Sequence, residues 1–308
     1  MDTDRGREQQ PHEGGDDRHE GGNDRPYLYI HSYPPPDLPD VGEDHGERPV
    51  PNGVCWYLCS GIQPLTAFQP GQNLTAQVAI GNWQGGNSPS MAYVGLWWSK
   101  PVSGPVIPDP SKFMGFSPVA VPPHGGRAET TPLTARIPAS SGNHICLLAK
   151  VWHPLDNVAA GGLADPVNDR HWAQHNLAVL PAAPAAPEPF AFLATNPTDD
   201  EATYQIGVRP MPPELWGNIP NDESLRPVTA SAWLSLKDTT TGEEAQGQNE
   251  LAHTLTLAPM EQRAMELLLV VTDEVGSEAF APFQIAQYRD ERPVGGIAVI
   301  VRGQAGLL

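Results

Sequence analysis

The chain has 308 residues, room for about two domains at roughly 100–200 residues each, and its 36 acidic and 18 basic residues give a formal charge of −18. Such acidity leaves no basic face to neutralise nucleic-acid phosphates, no stretch approaches the roughly 20 apolar residues of a membrane span, and three cysteines do not make a disulfide framework. Gly (30) and Pro (35) together make about a fifth of the residues against the usual roughly 12%, which points to short strands joined by many turns.

In chain order, residues 1–26 are polar, charged and Gly-rich, with a near-repeat of HEGGDDR as HEGGNDR. A segment of this kind buries too little apolar area to offset chain entropy, so it is expected to be a disordered acidic tail. It has no aliphatic or aromatic residue after Met1 and hence no secretory apolar core, which favours a cytoplasmic or particle-associated location over export. Tyr27 to His31 is expected to form a strand, and Pro34 to Pro36 a stiff polyproline II connector. Asn52 to Gln63, with Cys55 and Cys59, has no evident place in a regular element.

Strand signals follow. Leu74, Ala76, Val78 and Ile80 alternate with less apolar neighbours, then come MAYVGLWWSKP, Thr134 to Ile137, HICLLAKVW and HNLAVL. The run LPAAPAAPEP has Pro at 181, 184, 187 and 189 and nothing to pack, so 181–189 is expected to be a semi-rigid linker between domains 27–180 and 190–308. Beyond it Tyr204, Ile206 and Val208 alternate, and ASAWLSLK, HTLTL, AMELLLVV, FQIAQY and GGIAVIV follow. MEQRAMELLLVVTD has helix-permitting propensities, but the preceding LAP and the β-branched end favour two strands around a turn. The fold class is therefore all-β, two tandem Ig-like β-sandwiches behind the acidic tail. The charge divides unevenly: residues 1–50 carry a net −8, 51–182 a net +1 and 183–308 a net −11. The near-neutral middle holds six of the eight Trp.

The first domain resembles the bacterial Ig-like domains of the CARDB (cell-adhesion-related) type. GQNLTAQVAIGNWQGG is similar to the early strand and its Asn-Gly-type turn at Asn82 to Gly86, VGLWWSKP to the next strand, and VAVPPHGG to a Val-Pro-x-Gly-Gly turn. HICLLAKV is similar to the late core strand, and DRHWAQHNLAVL to the closing strand. These pieces span about residues 70–180; PVNDRHW stands where members usually have an Asn run. The second domain resembles bacterial Ig-like modules generally, TLAPMEQ being similar to a Leu-x-Pro-Gly-Glu turn with Met260 at the Gly position. The resemblance implies recognition or spacing, not catalysis.

Constellations for chemistry are sparse. His171 and His175 have the spacing of a zinc helix but lack the Glu beside the first His, and they lie in a strand pattern, so no metal site is expected there or with His144 and His153. Cys55 and Cys59 could meet only across a turn, and Cys146 reads as a buried free thiol. His124-Gly125-Gly126 is similar to a lipase oxyanion segment, but no G-x-S-x-G elbow accompanies it, and a turn with Gly at positive φ is expected. The acidic clusters Asp199-Asp200-Glu201 and Glu243-Glu244 lack calcium-loop spacing. Trp97 and Trp98, consecutive on a strand, must point to opposite faces: one fills the core, the other needs a loop, domain or partner to cover it. With Trp152 and Tyr57 they are the candidate binding residues. No cofactor is expected. The reading is a non-enzymatic protein-interaction or structural module, an accessory component of a larger bacterial or phage-derived assembly. The alternatives are a surface adhesin that stacks glycans on exposed Trp, and a hydrolase with an unrecognised site.

Overall fold

The computed structural model describes residues 24–32, 43–51, 54–142, 144–156, 162–181, 189–219 and 225–303. The expected disordered tail lies almost wholly outside them, as do the polyproline II run and most of the Pro/Ala linker. The chain is all-β: the only helical elements among the described residues are three short 3-10 segments.

The first sandwich is built from β1 (Leu28–Ile30), β2 (Ile62–Pro64), β3 (Asn73–Asn82), β4 (Ser90–Ser99), β5 (Phe113–Val121), β6 (Gly126–Glu129), β7 (Leu133–Arg136), β8 (Cys146–Trp152) and β9 (Trp172–His175). β3 is the axis of one sheet, pairing with β1 and β2 along one side and with β6 and β7 along the other. Its alternating residues Leu74, Ala76, Val78 and Ile80 all turn inward, as period-2 patterning requires. The opposing sheet has the order β5-β4-β8-β9, and Ala92, Val94, Leu96, Leu147, Ala149 and Val151 complete the core.

The second sandwich comprises β10 (Leu177–Pro181), β11 (Phe190–Thr195), β12 (Ala202–Pro210), β13 (Arg226–Pro227), β14 (Ala232–Asp238), β15 (Glu244–Gln248), β16 (Leu251–Leu257), β17 (Gln262–Val271), β18 (Ala279–Arg289) and β19 (Arg292–Arg302). One sheet runs β10-β19-β18-β12-β16, with β13 also on β18, and the other β11-β17-β14-β15. The ambiguous MEQRAMELLLVV run is not itself two strands: Met260, at φ 58°, sits in the turn after β16, and Gln262–Val271 is the single strand β17, so the turn lies at the start of the run and not within it.

The sandwiches do not meet as beads on a linker. HNLAVL, read as the closing strand of the first domain, is split at Asn176: β9 stays in the first sandwich, while β10 pairs in parallel with β19 of the second, Leu177 opposite Ala298. The chain thus changes sandwich before it reaches the Pro/Ala run. A second crossing comes from the loop after β4. Leu193 N–H donates to Pro101 O (2.9 Å) and Ser103 N–H to Leu193 O (2.9 Å), so residues 101–103 add a parallel bridge to β11. Each crossing covers an edge of one sheet of the second sandwich, where unpaired backbone groups would otherwise face solvent.

Buried polar groups lock this junction. Asn176 N–H donates to Tyr57 O (2.8 Å), Asn176 O accepts from Ala298 N–H (3.1 Å), and its amide donates to Val102 O (2.8 Å) and Gly296 O (3.3 Å). Gln287, fully buried on β18, donates to Thr195 O (2.7 Å) and accepts from Thr195 N–H (3.2 Å) and Ser103 Oγ (2.8 Å). The backbones come so close that a Cβ on Gly295 would lie 2.1 Å from Ser103 O. The segment containing Val54, Cys55, Trp56, Tyr57 and Leu58, without assignment in the sequence, packs on Phe280, Ala298 and Ile300. This is a third core between the other two. Unfolding should therefore be one cooperative transition by both Trp fluorescence and circular dichroism. Asn176→Ala should cost about 1–3 kcal/mol by stripping a donor from buried carbonyls, and Gly295→Ala at least as much because the clash is with backbone. Two separated transitions in denaturant would contradict the locked junction.

Candidate functional site

β4 carries the candidate tryptophans, and the sheet register determines their surroundings. Trp98 faces inward, half-buried against the core, with the Lys112 ammonium 5.4 Å from its ring centroid. Trp97 is on the outer face, opposite Leu148 of β8 and Phe113 of β5. The adjacency rule for strands thus separates the pair as expected. Gly95, its neighbour on the same face, has no side chain: a Cβ there would strike the Trp97 ring at 2.6 Å, so glycine makes room for the edge of the indole.

Across this face the residues form rows. Tyr93 is opposite Trp152, and their rings stack at 5.9 Å with a 25° interplanar angle. Gly95 is opposite Lys150, which is opposite Trp172. Trp97 meets Phe113 at 4.9 Å and Trp172 at 5.8 Å, ring centroid to centroid. Trp97, Phe113 and Trp172, with Ile107, Pro108 and Pro110 from the loop before β5, line an open cleft of about 380 Å³. Trp172 is its buried floor, 2% exposed, whereas Phe113 (42%) and Ile107 (45%) stand open at its walls. The Lys150 ammonium lies 5.1 Å from the Trp172 ring centroid, a cation–π contact. Beyond the cleft the same face exposes Phe116 (59%), in register with Gly95, and Met91.

The structure brings Trp97 and Trp152 to this one face and leaves Trp98 and Tyr57 off it. Tyr57 is fully inside the junction: its hydroxyl lies 3.1 Å from the Gln284 amide nitrogen, with the amide turned so that its oxygen accepts from Arg209. Burial, first of all, pushes the Tyr57 hydroxyl well above its ordinary value, so it stays protonated. The expected exposed role of Tyr57 is corrected accordingly: the residue belongs to the interface between sandwiches. Trp172, Phe113 and Ile107 were not singled out in the sequence. The one cue was their position, Phe113 just before the inward Met114 and Trp172 just before the inward Ala173, which puts both on the outer face.

The histidines do not converge. His171 lies between two carboxylates, Nδ1 2.7 Å from Asp169 Oδ1 and Nε2 3.3 Å from Asp156 Oδ2. Burial works to lower its pKa, but the hydrogen bonds to Asp156 and Asp169 prevail and raise it. Asp156 also pairs with Arg170 and accepts from Leu28 N–H (2.6 Å), so the group ties β1 to β9. His175 is buried with Nδ1 3.2 Å from Cys59 O, and its pKa is lowered by burial against that hydrogen bond. His144 packs edge-on against Phe190, and Nδ1 of His153 accepts from Leu155 N–H (3.1 Å). Among the described residues no group of three His, Cys, Asp or Glu side chains could hold a metal ion. All three cysteines are free and buried, and burial, first, pushes Cys55 up to about 11 and Cys59 and Cys146 up to about 12. His124-Gly125 is a turn, both residues at positive φ.

The fold and face define a two-sandwich β-protein with an aromatic cleft on the outer face of one sheet. No protein-family model and no curated protein matches the sequence. Similar solved structures include the CupB6 tip adhesin of Pseudomonas aeruginosa, at 8% identity and TM-score 0.23 over 79% of this chain and 96% of that one. Another is the collagen adhesin of S. aureus, at 7% and 0.22 over 79% and 91%. A β-glucuronidase of Bacteroides uniformis is similar at 8% and 0.24, over 74% of this chain and 26% of the enzyme. Among the described residues no helix is long and apolar enough to cross a membrane.

Two outcomes test the site's physics. Trp172→Ala, removing a buried floor, should cost about 3–5 kcal/mol, while Phe116→Ala should stay within about 0.5 kcal/mol; urea titrations distinguish them. His31, whose ring meets Tyr29 edge-on at 4.9 Å, has its pKa pulled from 6.5 to about 4 by burial first and by Arg127 next. The folded state keeps it neutral where the unfolded chain takes up a proton, so its stability contribution is full above pH 6.5 and lost as pH falls toward 4. His171 has the opposite sign: its contribution is full below pH 6.5 and lost as pH rises through its raised value. His31→Gln should therefore flatten the acid limb of the stability–pH curve by roughly 2–3 kcal/mol, and an unchanged slope would sink this assignment.

Proposed function

We propose that the chain is a non-enzymatic binding module, which presents the outer face of the β5-β4-β8-β9 sheet from a rigid two-sandwich frame. The observation that carries the reading is the aromatic cleft of Trp97, Trp172 and Phe113, flanked by the exposed Ile107 and Phe116. Apolar side chains scattered singly over a surface need no explanation, but a contiguous aromatic group around a cleft is the usual mark of a binding surface. What supports a non-catalytic role is that Lys150 is the one titratable residue lining the cleft among the described residues. Such a module serves as an interaction or structural component of a larger bacterial or phage-derived assembly. The second reading, a surface adhesin that binds glycans, draws on the Trp97 ring at the open cleft, an aromatic surface that can stack sugars as readily as prolines.

Affinity capture from the native host with the full chain, Ile107→Ser and Phe116→Ser tests the reading. Both substitutions fall on exposed side chains, so the melting temperature should hold, while the captured partner should be lost. A glycan array run with the same three proteins checks the second reading. If every bound species survives both substitutions, this face is not the recognition surface.

A further inference from the structure

The cleft's chemistry narrows the class of ligand. The side chains lining it are Trp97, Ile107, Pro108, Pro110, Phe113, Lys150 and Trp172. Their polar groups are two indole N–H groups and one ammonium, all donors and no acceptor. The nearest carboxylate in sequence, Asp109, is engaged at the rim: it accepts from Ser111 N–H (2.9 Å) and Ser111 Oγ (2.7 Å) and lies 3.6 Å from Lys112 Nζ. Lys150 itself has the Trp172 ring as its neighbour and no ion pair among the described residues. In a chain of formal charge −18, this is an uncompensated cation set in an aromatic wall.

A ligand that suits this wall offers acceptors and flat apolar rings, and brings few donors to bury. A neutral sugar carries a hydroxyl donor on most carbons, and those donors would lose water without a side-chain acceptor in return. An ordinary peptide brings a backbone N–H at each residue. Proline has none, and a polyproline II segment presents pyrrolidine rings and carbonyl acceptors in a pre-set shape that aromatic grooves take up at low entropy cost. A carboxylate within the segment would then answer Lys150. We infer that the cleft binds an acidic, proline-rich polypeptide segment of a partner protein, the prolines against Trp97 and Phe113 and a Glu or Asp side chain on Lys150. This rests on the outer face being the recognition surface, and it identifies what that surface recognises.

The test is a titration of intrinsic Trp fluorescence in the full chain with an acetylated, amidated heptapeptide Pro-Pro-Pro-Glu-Pro-Pro-Pro. Saturable binding is expected, with affinity falling as salt rises because one charge pair contributes. A Gln-centred peptide should bind about three- to tenfold more weakly, and one with Ala at every proline should not saturate. Lys150→Glu is half-exposed and leaves the aromatic wall intact; it should lose the preference for Glu and gain one for a Lys-centred peptide. Trp97→Ala, with folding checked by circular dichroism, should abolish binding of the Glu-, Gln- and Lys-centred peptides alike. Absence of saturation by the Glu peptide, or equal affinity for the Glu and Gln peptides, overturns the inference. In that event a glycan or captured protein still lost with Ile107→Ser leaves the binding-module reading standing, whereas ligands indifferent to the face overturn both.

Discussion

Asn176 is the constraint on which the arrangement of the molecule depends. Its backbone and amide make hydrogen bonds to Tyr57, Val102, Gly296 and Ala298, which come from three separate segments of the chain. Each bond is worth little against water, but each partner is buried, so breaking any of them leaves a polar group unsatisfied at greater cost. A neighbouring network around Gln287 works the same way through Thr195 and Ser103. Apolar contacts alone would allow the sandwiches to slide over one another. The directional bonds leave one register, and the glycines at 295 and 296 allow the backbones to come close enough to make them.

That rigidity gives the aromatic face a fixed presentation. β4 and β8, which carry Trp97 and Lys150, are continuous with the segments that dock on the second sandwich: the chain leaves β4 at Ser99 and reaches β11 within four residues. Charge is distributed along the same division. The near-neutral stretch of residues 51–182 holds the cleft, and residues 183–308, which include most of the second sandwich, carry a net −11. The acidic portion favours solubility and disfavours association through its own surface. Contact falls to the face where repulsion is least and aromatic area greatest.

Much of the architecture was legible in the residues. Alternation in Leu74–Ile80 and Tyr204–Val208 marked buried strand faces, and the His124-Gly125 and Met260 turns stood where positive φ was expected or tolerated. The crossings were not legible, for a physical reason. Asn176 reads as one polar residue within a strand, and Val102 to Pro105 follows the MAYVGLWWSKP strand with no pattern of its own, because their hydrogen bonds go to partners far away in sequence. Local pattern encodes which residues are buried and not which sheet buries them. The Pro/Ala run drew attention as a boundary because it lacks apolar pattern, yet the change of sandwich falls at a residue with no compositional signal. The site was half legible for the same reason: Trp97 stood out by type, while Trp172 and Ile107 gain significance only from the register across β4, β8 and β9 and from the loop that returns over them. Tyr57 misled because an aromatic near an unassigned loop looks the same whether it faces solvent or another domain.

The parallel pairing of β10 with β19 also orders events during synthesis. Leu177 leaves the ribosome more than a hundred residues before Ala298, its partner in the sheet. Until then β10 has no neighbour on that edge, and the segment 54–58 lacks the apolar cover of Phe280, Ala298 and Ile300, which are still to be made. The first sandwich can close its own core early, but it waits with one sticky strand and one apolar flank uncovered. Non-local pairings of this kind are slow and leave transiently exposed edges open to aggregation. A nascent chain halted near the Pro/Ala run would hold a folded sandwich and an unsatisfied docking surface together, the condition in which chaperones engage a protein or neighbouring copies stick to it.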